Sequence, residues 1–447
     1  MQKDKIVVGL DIGSTKICVV VARRDEQDKN RIEILGVGKA ISEGVTRGVV
    51  INIDKTVEAI TQAVEQASRM SNIAIELVNV GIAGQHIRSM IQRGSITRQS
   101  TEDEISSEDV LRLVNDMYKI PTEPGTQILH VMPQDFIVDK ESGIIDPIGM
   151  SGVKLEANFH IITAETASLS NINRCVKKAG LTIQDLILEP IASSLAVLSR
   201  EEREEGVCLV DIGGGTTDIA IFHNGIIRHS AVIPFGGKVI TSDIKQGCII
   251  PENQAELLKV RFGKAIAEQA KSHEVVSIPG SRNRPTKEIS LRNLAAIIEA
   301  RMTEIIEDVH KEIIRSGYYN MLSQGIVLTG GGALLDGLQD LFGLHTGLPI
   351  RIGHPTEYLN KTNVDLVKQP MYATAIGLVL AGFRALDDRD LFQATSNSNT
   401  NSNFAQSKSE TKKNKKDSPF SNFFGKMLER TKSLLIDDID EEEDYKK

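Results

Sequence analysis

The sequence predicts an α/β protein made of two related lobes, with a further α/β block inserted into the first. Three observations lead there. Two stretches about 200 residues apart read alike, strand-like and helix-like segments alternate, and 447 residues exceed what a single hydrophobic core organises. The first repeat is IVVGLDIGSTKICVVVA, Ile6 to Ala22, and the second is VCLVDIGGGTTDIAIF, Val207 to Phe222. Each is an apolar strand ending in Asp-Ile-Gly, a tight Gly/Ser/Thr turn, a second apolar strand, and a third strand after a polar turn. Repetition at this range indicates a duplicated lobe rather than a solenoid, whose units are far shorter.

The elements follow in order. After the first unit, Val57, Ile60, Val64 and Ala67 keep helical spacing behind Asp54, the expected N-cap. VNVGIAG (78–84) reads as a strand, and about 80 residues separate it from the strand NFHIITAET. That intervening block is itself α/β: strand SMIQRGSI, an acidic-capped helix SEDVLRLVNDMY, and strand LHVMPQDFIVD. The second unit is followed by a long segment to about Asp308 and a helix around Ile305, Ile306, Val309, Ile313 and Ile314. A buried strand GIVLTGGG (325–332) comes next and is expected to open a helix; an apolar helix from Met371 to Phe383 closes the fold.

Composition narrows the function. Hydrophobic residues make up 40% and charged residues 25%, as in ordinary globular proteins. A formal charge of −8 argues against nucleic-acid binding. No apolar run reaches the roughly 18 residues that a membrane span needs. The N-terminus lacks a signal-peptide pattern, so a cytoplasmic compartment is expected. Cys18, Cys175, Cys208 and Cys248 form no CxxC pair and read as buried small hydrophobes; the nine histidines are scattered and read as solvated or core residues. The P-loop, HExxH, GxSxG and EF-hand patterns are absent.

The chemistry lies in the glycine turns. A turn rich in glycine can aim backbone N–H groups at an anion because no side chain blocks close approach. Ser14 and Thr15 in the first turn, and Thr216 and Thr217 in the second, add hydroxyls, and Lys16 adds a positive charge. Asp11 and Asp211 end their strands as acceptors suited to a hydrated Mg²⁺ or a water. Two such hairpins facing one another would grip a polyphosphate from both sides. The third glycine cluster, LTGGGALLDG, would let the backbone approach an adenosine.

These three segments resemble the phosphate-1, phosphate-2 and adenosine motifs of the actin/Hsp70/sugar-kinase superfamily. Within it the chain resembles the FtsA family of bacterial cell-division proteins. The resemblance rests on GLDIGSTKICVVVA, LHVMPQDFIVD, residues 149–153, GVCLVDIGGGTTDIAIF, IPFGGKVITSDI, GIVLTGGGALLDGL and PMYATAIGL, spread over residues 5 to about 385. It implies an actin-like fold that binds ATP with Mg²⁺. Gly13, Ser14, Thr15 and Lys16 would contact phosphates, with Asp11 on the Mg²⁺ side through water. Gly213, Gly214, Gly215, Thr216 and Thr217 would form the second clamp, and Gly330, Gly331 and Gly332 would approach the nucleoside. Glu256 and Lys259 match positions bordering adenine and ribose. Asp211 and Glu189 match hydrolysis-linked acids, with only weak hydrolysis expected.

The resemblance also implies an organisation. The first-lobe core takes 1–84, 164–206 and 371–385; the inserted subdomain takes 85–163; the second-lobe core takes 207–240 and 309–370; and a small second-lobe subdomain takes 241–308. The inserted block would serve self-association and later division proteins. Arg301 and Glu304 match a pattern that binds the C-terminal peptide of the tubulin-like protein FtsZ. A small-molecule kinase would need a sugar site with a base, and an Hsp70-type chaperone a β-rich peptide domain. MreB-like and PilM-like filament or scaffold proteins are the nearest alternatives. The inserted block and the tail favour FtsA.

Beyond Phe383 the character changes. Residues 386–417 are rich in Ser, Asn, Thr and Lys and read as a disordered linker. In 418–436, Ser418 is a natural N-cap and Pro419 suits the first helical position. Phe420, Phe423, Phe424, Met427, Leu428, Leu434 and Leu435 fall on one helical face, with Lys426, Glu429, Arg430 and Lys432 on the other. Such a helix is expected to lie on a lipid surface, at the cytoplasmic face of the inner membrane. Each phenylalanine contributes about 3–4 kcal/mol gross, and several helices on one polymer bind by avidity. The acidic run 437–447 that follows would be repelled by anionic headgroups.

Overall fold

The structure, a computed structural model, describes residues 5–399 except 26–27, 29, 99–103, 280–284 and 361–364. The expected linker from residue 400 on, the amphipathic helix with Phe420, Phe423, Phe424, Met427, Leu428, Leu434 and Leu435, and the acidic tail lie outside the described residues.

The first lobe begins with an antiparallel meander, β1 (Ile6–Ile12), β2 (Lys16–Arg24) and β3 (Ile32–Ile41). A short ladder of β4 (Val45–Thr46) and β5 (Val49–Val50), helix α1 (Ile53–Ser71) and β6 (Leu77–Ile82) follow. β1 and β2 are buried on both faces, hence their continuous apolar runs, whereas β3 alternates as an edge strand does. α1 lies on this sheet through Ala59, Ile60, Ala63 and Ala67. Its backbone comes so near β3 that a Cβ at Gly38 would sit 1.8 Å from the Ala63 carbonyl oxygen. Its N-cap is Asn52, whose side chain accepts from the Lys55 N–H at 3.0 Å, and not the expected Asp54. Asp54 occupies the first turn, where its charge favours the helix dipole.

The inserted block comprises β7 (Ile87–Thr97), α2 (Ser107–Met117), β8 (Thr126–Val138), β9 (Glu141–Ile144) and β10 (Lys154–Glu165), with sheet order β7-β10-β8-β9. The chain re-enters the first lobe through α3 (Thr166–Lys178), β11 (Thr182–Leu188), α4 (Glu189–Val197) and α5 (Arg200–Glu205). The completed first sheet runs β11-β6-β1-β2-β3.

The second lobe repeats the plan with β12 (Val207–Ile212), β13 (Thr217–His223) and β14 (Ile226–Ile233). Helices α6 (Gly237–Cys248) and α7 (Glu252–Phe262), the hairpin β15 (Val275–Ile278) and β16 (Lys287–Ser290), and the long α8 (Leu291–Arg315) form its smaller part. β17 (Ile326–Thr329), α9 (Leu338–Thr346) and β18 (Ile350–Ile352) complete a sheet of order β14-β13-β12-β17-β18. In both sheets the three-strand meander is antiparallel and the outer two strands are parallel. The duplication read from two sequence repeats is thus a duplication of whole sheets.

Helix α10 (Ala373–Asn399) returns to the first lobe and packs on α4 and β1. A Cβ at Gly377 would meet the Ala192 carbonyl oxygen at 1.8 Å, so these helices touch backbone to backbone. The boundaries expected at 240, 308 and 385 fall inside α6, α8 and α10. Continuous i to i+4 hydrogen bonding carries a helix across a change in what its outer face meets. The strand β17 opens a 3-10 turn at Gly332–Leu334 rather than the expected helix, and α9 starts only at Leu338.

The inserted block also touches the second lobe, at the edge strand β14. Gln134 Nε2 donates to the Ile227 carbonyl at 2.8 Å, and Arg228 Nη1 donates to the Gln134 carbonyl at 3.0 Å. Ser89 Oγ donates to the Ser230 carbonyl at 2.9 Å, and His160 Nε2 lies 3.0 Å from Ser230 Oγ. An otherwise open sheet edge is thereby covered. His86, His130 and His160 are buried in or beside this block, and burial pushes the last two down to about 4. They are neutral structural groups and not surface histidines. All four cysteines are buried and free, as expected of small hydrophobes.

Candidate functional site

The two glycine turns close in the same way. Gly13 N–H donates to the Lys16 carbonyl at 3.1 Å, and Gly213 N–H donates to the Thr216 carbonyl at 2.9 Å. Each turn joins two largely buried strands of its sheet, so its position is set by the core beneath it. The turns meet across the gap between the lobes. A Cβ at Gly214 would sit 2.2 Å from Thr15 Cγ2, and one at Gly215 would sit 2.6 Å from Ser14 Oγ. Lys238 Nζ, at the start of α6, reaches across to the Ser14 carbonyl. The Gly48 N–H donates to Ser14 Oγ at 3.0 Å.

Below the contact lies a cavity of about 330 Å³ lined by both turns, within the usual range for a small-molecule site. Among the expected residues, Asp11, Gly13, Ser14, Thr15, Lys16, Glu189, Asp211, Gly213, Gly214, Gly215, Thr216, Gly330 and Gly331 line it. Gly331 faces open space, so its backbone is free to approach a ligand. Gly332 instead packs against Ile212, where a Cβ would come within 2.3 Å of Cγ2. Thr217 is fully buried and its hydroxyl donates to the Phe235 carbonyl at 2.9 Å, which removes it from the phosphate face.

The cavity is rich in acids. Burial and the neighbouring carboxylates of Asp11, Asp218 and Asp211 push Glu189 well above the usual carboxylate range. Burial raises Asp211 as well, opposed by the hydroxyl of Ser193. Asp218 is pushed up to about 7 by burial and by Asp211, and its Oδ1 has no hydrogen-bond partner. Lys16 answers part of this charge: its Nζ lies 3.2 Å from Asp11 Oδ2 and 5.0 Å from the centre of the Tyr372 ring. Burial opposes the ammonium, but Asp11 together with Cys18 and Tyr372 outweighs it and the pKa is raised. A polyphosphate brought here alone would meet mostly like charge. A polyphosphate carrying a divalent cation would relieve it, so these residues fit that pair.

Other expected residues lie elsewhere. Lys259 Nζ donates to the Gly237 carbonyl at 2.8 Å and to Thr241 Oγ1 at 2.7 Å, and pairs with Glu256 at 2.8 Å. Both therefore sit behind the second turn, at the start of α6, and neither lines the cavity. Arg301 grips Asp243 with Nε at 2.5 Å and Nη2 at 3.2 Å, and also bonds Glu304.

Sequence reasoning missed Asp218, Lys39, Met371 and Thr374 in the lining, and Ser193 behind it. For Asp218 a signal existed. A hairpin closed between Gly213 and Thr216 puts Asp218 opposite Asp211, as the register confirms. Thr374 and Ser193 come from distant helices and left no local trace.

Two duplicated sheets, a cleft edged by paired hairpins and an inserted α/β block define a two-lobed protein of the actin fold. A solved structure titled as the PilM-PilN type IV pilus biogenesis complex shares this fold, with a TM-score of 0.58 over 84% of this chain and 98% of that one. Its 16% identity speaks to fold alone. A family model described as "Cell division protein FtsA" matches residues 208–377, and one described as "SHS2 domain inserted in FTSA" matches 84–163. The cell division protein FtsA of Pseudomonas aeruginosa is 39% identical over 87% of this chain and 92% of its own length. That of Escherichia coli K12 is 37% identical over 85% and 90%, and that of Bacillus subtilis 36% over 85% and 84%. The chain belongs to the FtsA family of cell-division proteins.

Proposed function

We propose that the protein binds ATP with Mg²⁺ between its lobes, polymerises, and tethers filaments of FtsZ to the cytoplasmic face of the inner membrane at the division site. The observation that carries the nucleotide reading is the pair of glycine hairpins facing each other over an acid-lined cavity. Backbone N–H groups of Ser14 to Lys16 and of Gly214 to Thr216 would receive the phosphates, with the side chains of Ser14, Thr15 and Lys16 beside them. Among the described residues no three His, Cys, Asp or Glu side chains gather as a metal site. Mg²⁺ would therefore be held largely by phosphate oxygens and water, with Asp11 on its side. When bound, it neutralises charge on the terminal phosphates.

Burial and the neighbouring carboxylates raise the Glu189 pKa well above the usual carboxylate range. Asp211 and Glu189 would orient a water, and hydrolysis would be slow or regulatory. Steady turnover near ~10 per second without partners would contradict this. Later division proteins would bind the inserted block. The FtsZ peptide would bind the smaller part of the second lobe, its acids displacing Asp243 from Arg301. No described helix is long and apolar enough to cross a membrane, so attachment falls to the segment 418–436.

Liposome co-sedimentation with ATP tests the tether. Anionic vesicles should pellet the full chain together with FtsZ, and truncation before Ser418 should leave both in the supernatant. If the full chain also stays in the supernatant, the tether is excluded and a filament or scaffold role takes its place.

A further inference from the structure

Asp211 belongs to the second lobe, yet the side chains that hold it belong to first-lobe helices. Ser193 Oγ, on α4, donates to Asp211 Oδ2 at 2.7 Å. Thr374 Oγ1, in the first turn of α10, donates to the same oxygen at 3.3 Å. The two hydroxyls lie 3.1 Å apart, and both residues are buried. Hydroxyls are the right donors here. They are small enough to share one carboxylate oxygen inside the core, and a hydrogen bond to a charged acceptor is stronger than a neutral one.

The geometry also leaves one oxygen free for work. With Oδ2 occupied by both hydroxyls, Oδ1 points along Gly330, where a Cβ would come within 2.3 Å. Gly330 has φ +82°, a conformation other residues rarely adopt, so the position beside Oδ1 stays bare. The acid is thus oriented by two first-lobe donors, and its other oxygen lies beside Gly330, which lines the cavity.

Both donors lie on first-lobe helices next to the chain's crossings between the lobes, and α4 packs on β12 and β13 of the second lobe. We propose that Ser193 and Thr374 are positioning residues that orient Asp211 toward the terminal phosphate end of a nucleoside triphosphate. This rests on the nucleotide reading given above.

The test is equilibrium binding of fluorescent ATP with Mg²⁺ and of fluorescent ADP to the full chain and to Ser193→Ala, Thr374→Val, the double variant, and Thr374→Ser. Losing hydrogen bonds to a charged group should weaken Mg-ATP binding about tenfold in the double variant. ADP binding should change less than about twofold, since the interaction concerns the terminal phosphate end. Thr374→Ser keeps the hydroxyl and should restore most of the ATP preference that Thr374→Val loses. Equal weakening of ATP and ADP, or equal loss in Thr374→Ser and Thr374→Val, would mean that the hydroxyls only fill the core, and the inference fails. If the unaltered chain binds neither nucleotide, the nucleotide reading itself is wrong and the inference goes with it.

Discussion

The two phosphate hairpins share a backbone but divide the labour. Asp11-Ile-Gly-Ser-Thr-Lys16 and Asp211-Ile-Gly-Gly-Gly-Thr216 close with the same hydrogen bond, at 3.1 and 2.9 Å. The first carries side chains where the second has none: Ser14 and Thr15 face Gly214 and Gly215. Lys16 has Thr216 as its counterpart, and Cys18, opposite Asp11, has Asp218, opposite Asp211. One hairpin supplies hydroxyls and a positive charge; the other supplies room and a second acid. A duplicated unit becomes a clamp only after its copies diverge, because two bulky turns would keep the lobes apart.

That division can be broken from either side. Gly214→Val gives the second turn the bulk of the first, against Thr15 Cγ2 at 2.2 Å from even a Cβ. Overpacking at this contact should lower Mg-ATP affinity at least about 100-fold, read by fluorescent-nucleotide titration. Adding Thr15→Ala should recover part of it, and failure to do so would show that the turns need not touch. Lys16→Thr makes the first turn resemble the second and leaves Asp11 without its ammonium partner. Affinity should fall about 20- to 50-fold, with the apo protein still folded by circular dichroism.

The smallest effect concerns Asp218 and sharpens the comparison with Cys18. Its pKa rises on folding from 3.8 to about 7. A raised folded-state pKa stabilises the fold below pH 3.8, and that contribution is lost as the pH rises through about 7. Asp218→Asn should therefore flatten the fall in apo unfolding free energy between pH 4 and 7, by about 1–2 kcal/mol once coupled acids share the shift. The buried His130 and His160, lowered from 6.5 to about 4, act in the opposite sense. Their contribution is present above pH 6.5 and lost as the pH falls toward 4. An Asp218→Asn chain with an unchanged slope would show that Asp218 is ionised in the folded protein.

Much of this arrangement is legible in the amino-acid sequence alone. Ile6 to Ala22 and Val207 to Phe222 announce buried hairpins because apolar runs broken by Asp-Ile-Gly admit few other foldings. Both acids and most glycines of the turns do line the cavity. Three positions inferred by likeness without local support lie outside the cavity lining. Lys259 and Glu256 bond around Gly237 and Thr241, and Gly332 packs on Ile212. Histidines that look scattered include three buried in or next to the inserted block, one of them bonded to the second lobe.

The sequence by itself determined the duplicated strands, the turns between them and the residue types that can meet a phosphate, because these depend on hydrophobic period and on glycine within a dozen residues. Tertiary structure alone decided that Thr15 packs over Gly214, that Asp211 takes its donors from Ser193 and Thr374, and that Gln134 covers the β14 edge. Those contacts join residues 18 to about 200 positions apart. Their existence depends on how two lobes and an inserted block come to rest against each other, which no local pattern encodes.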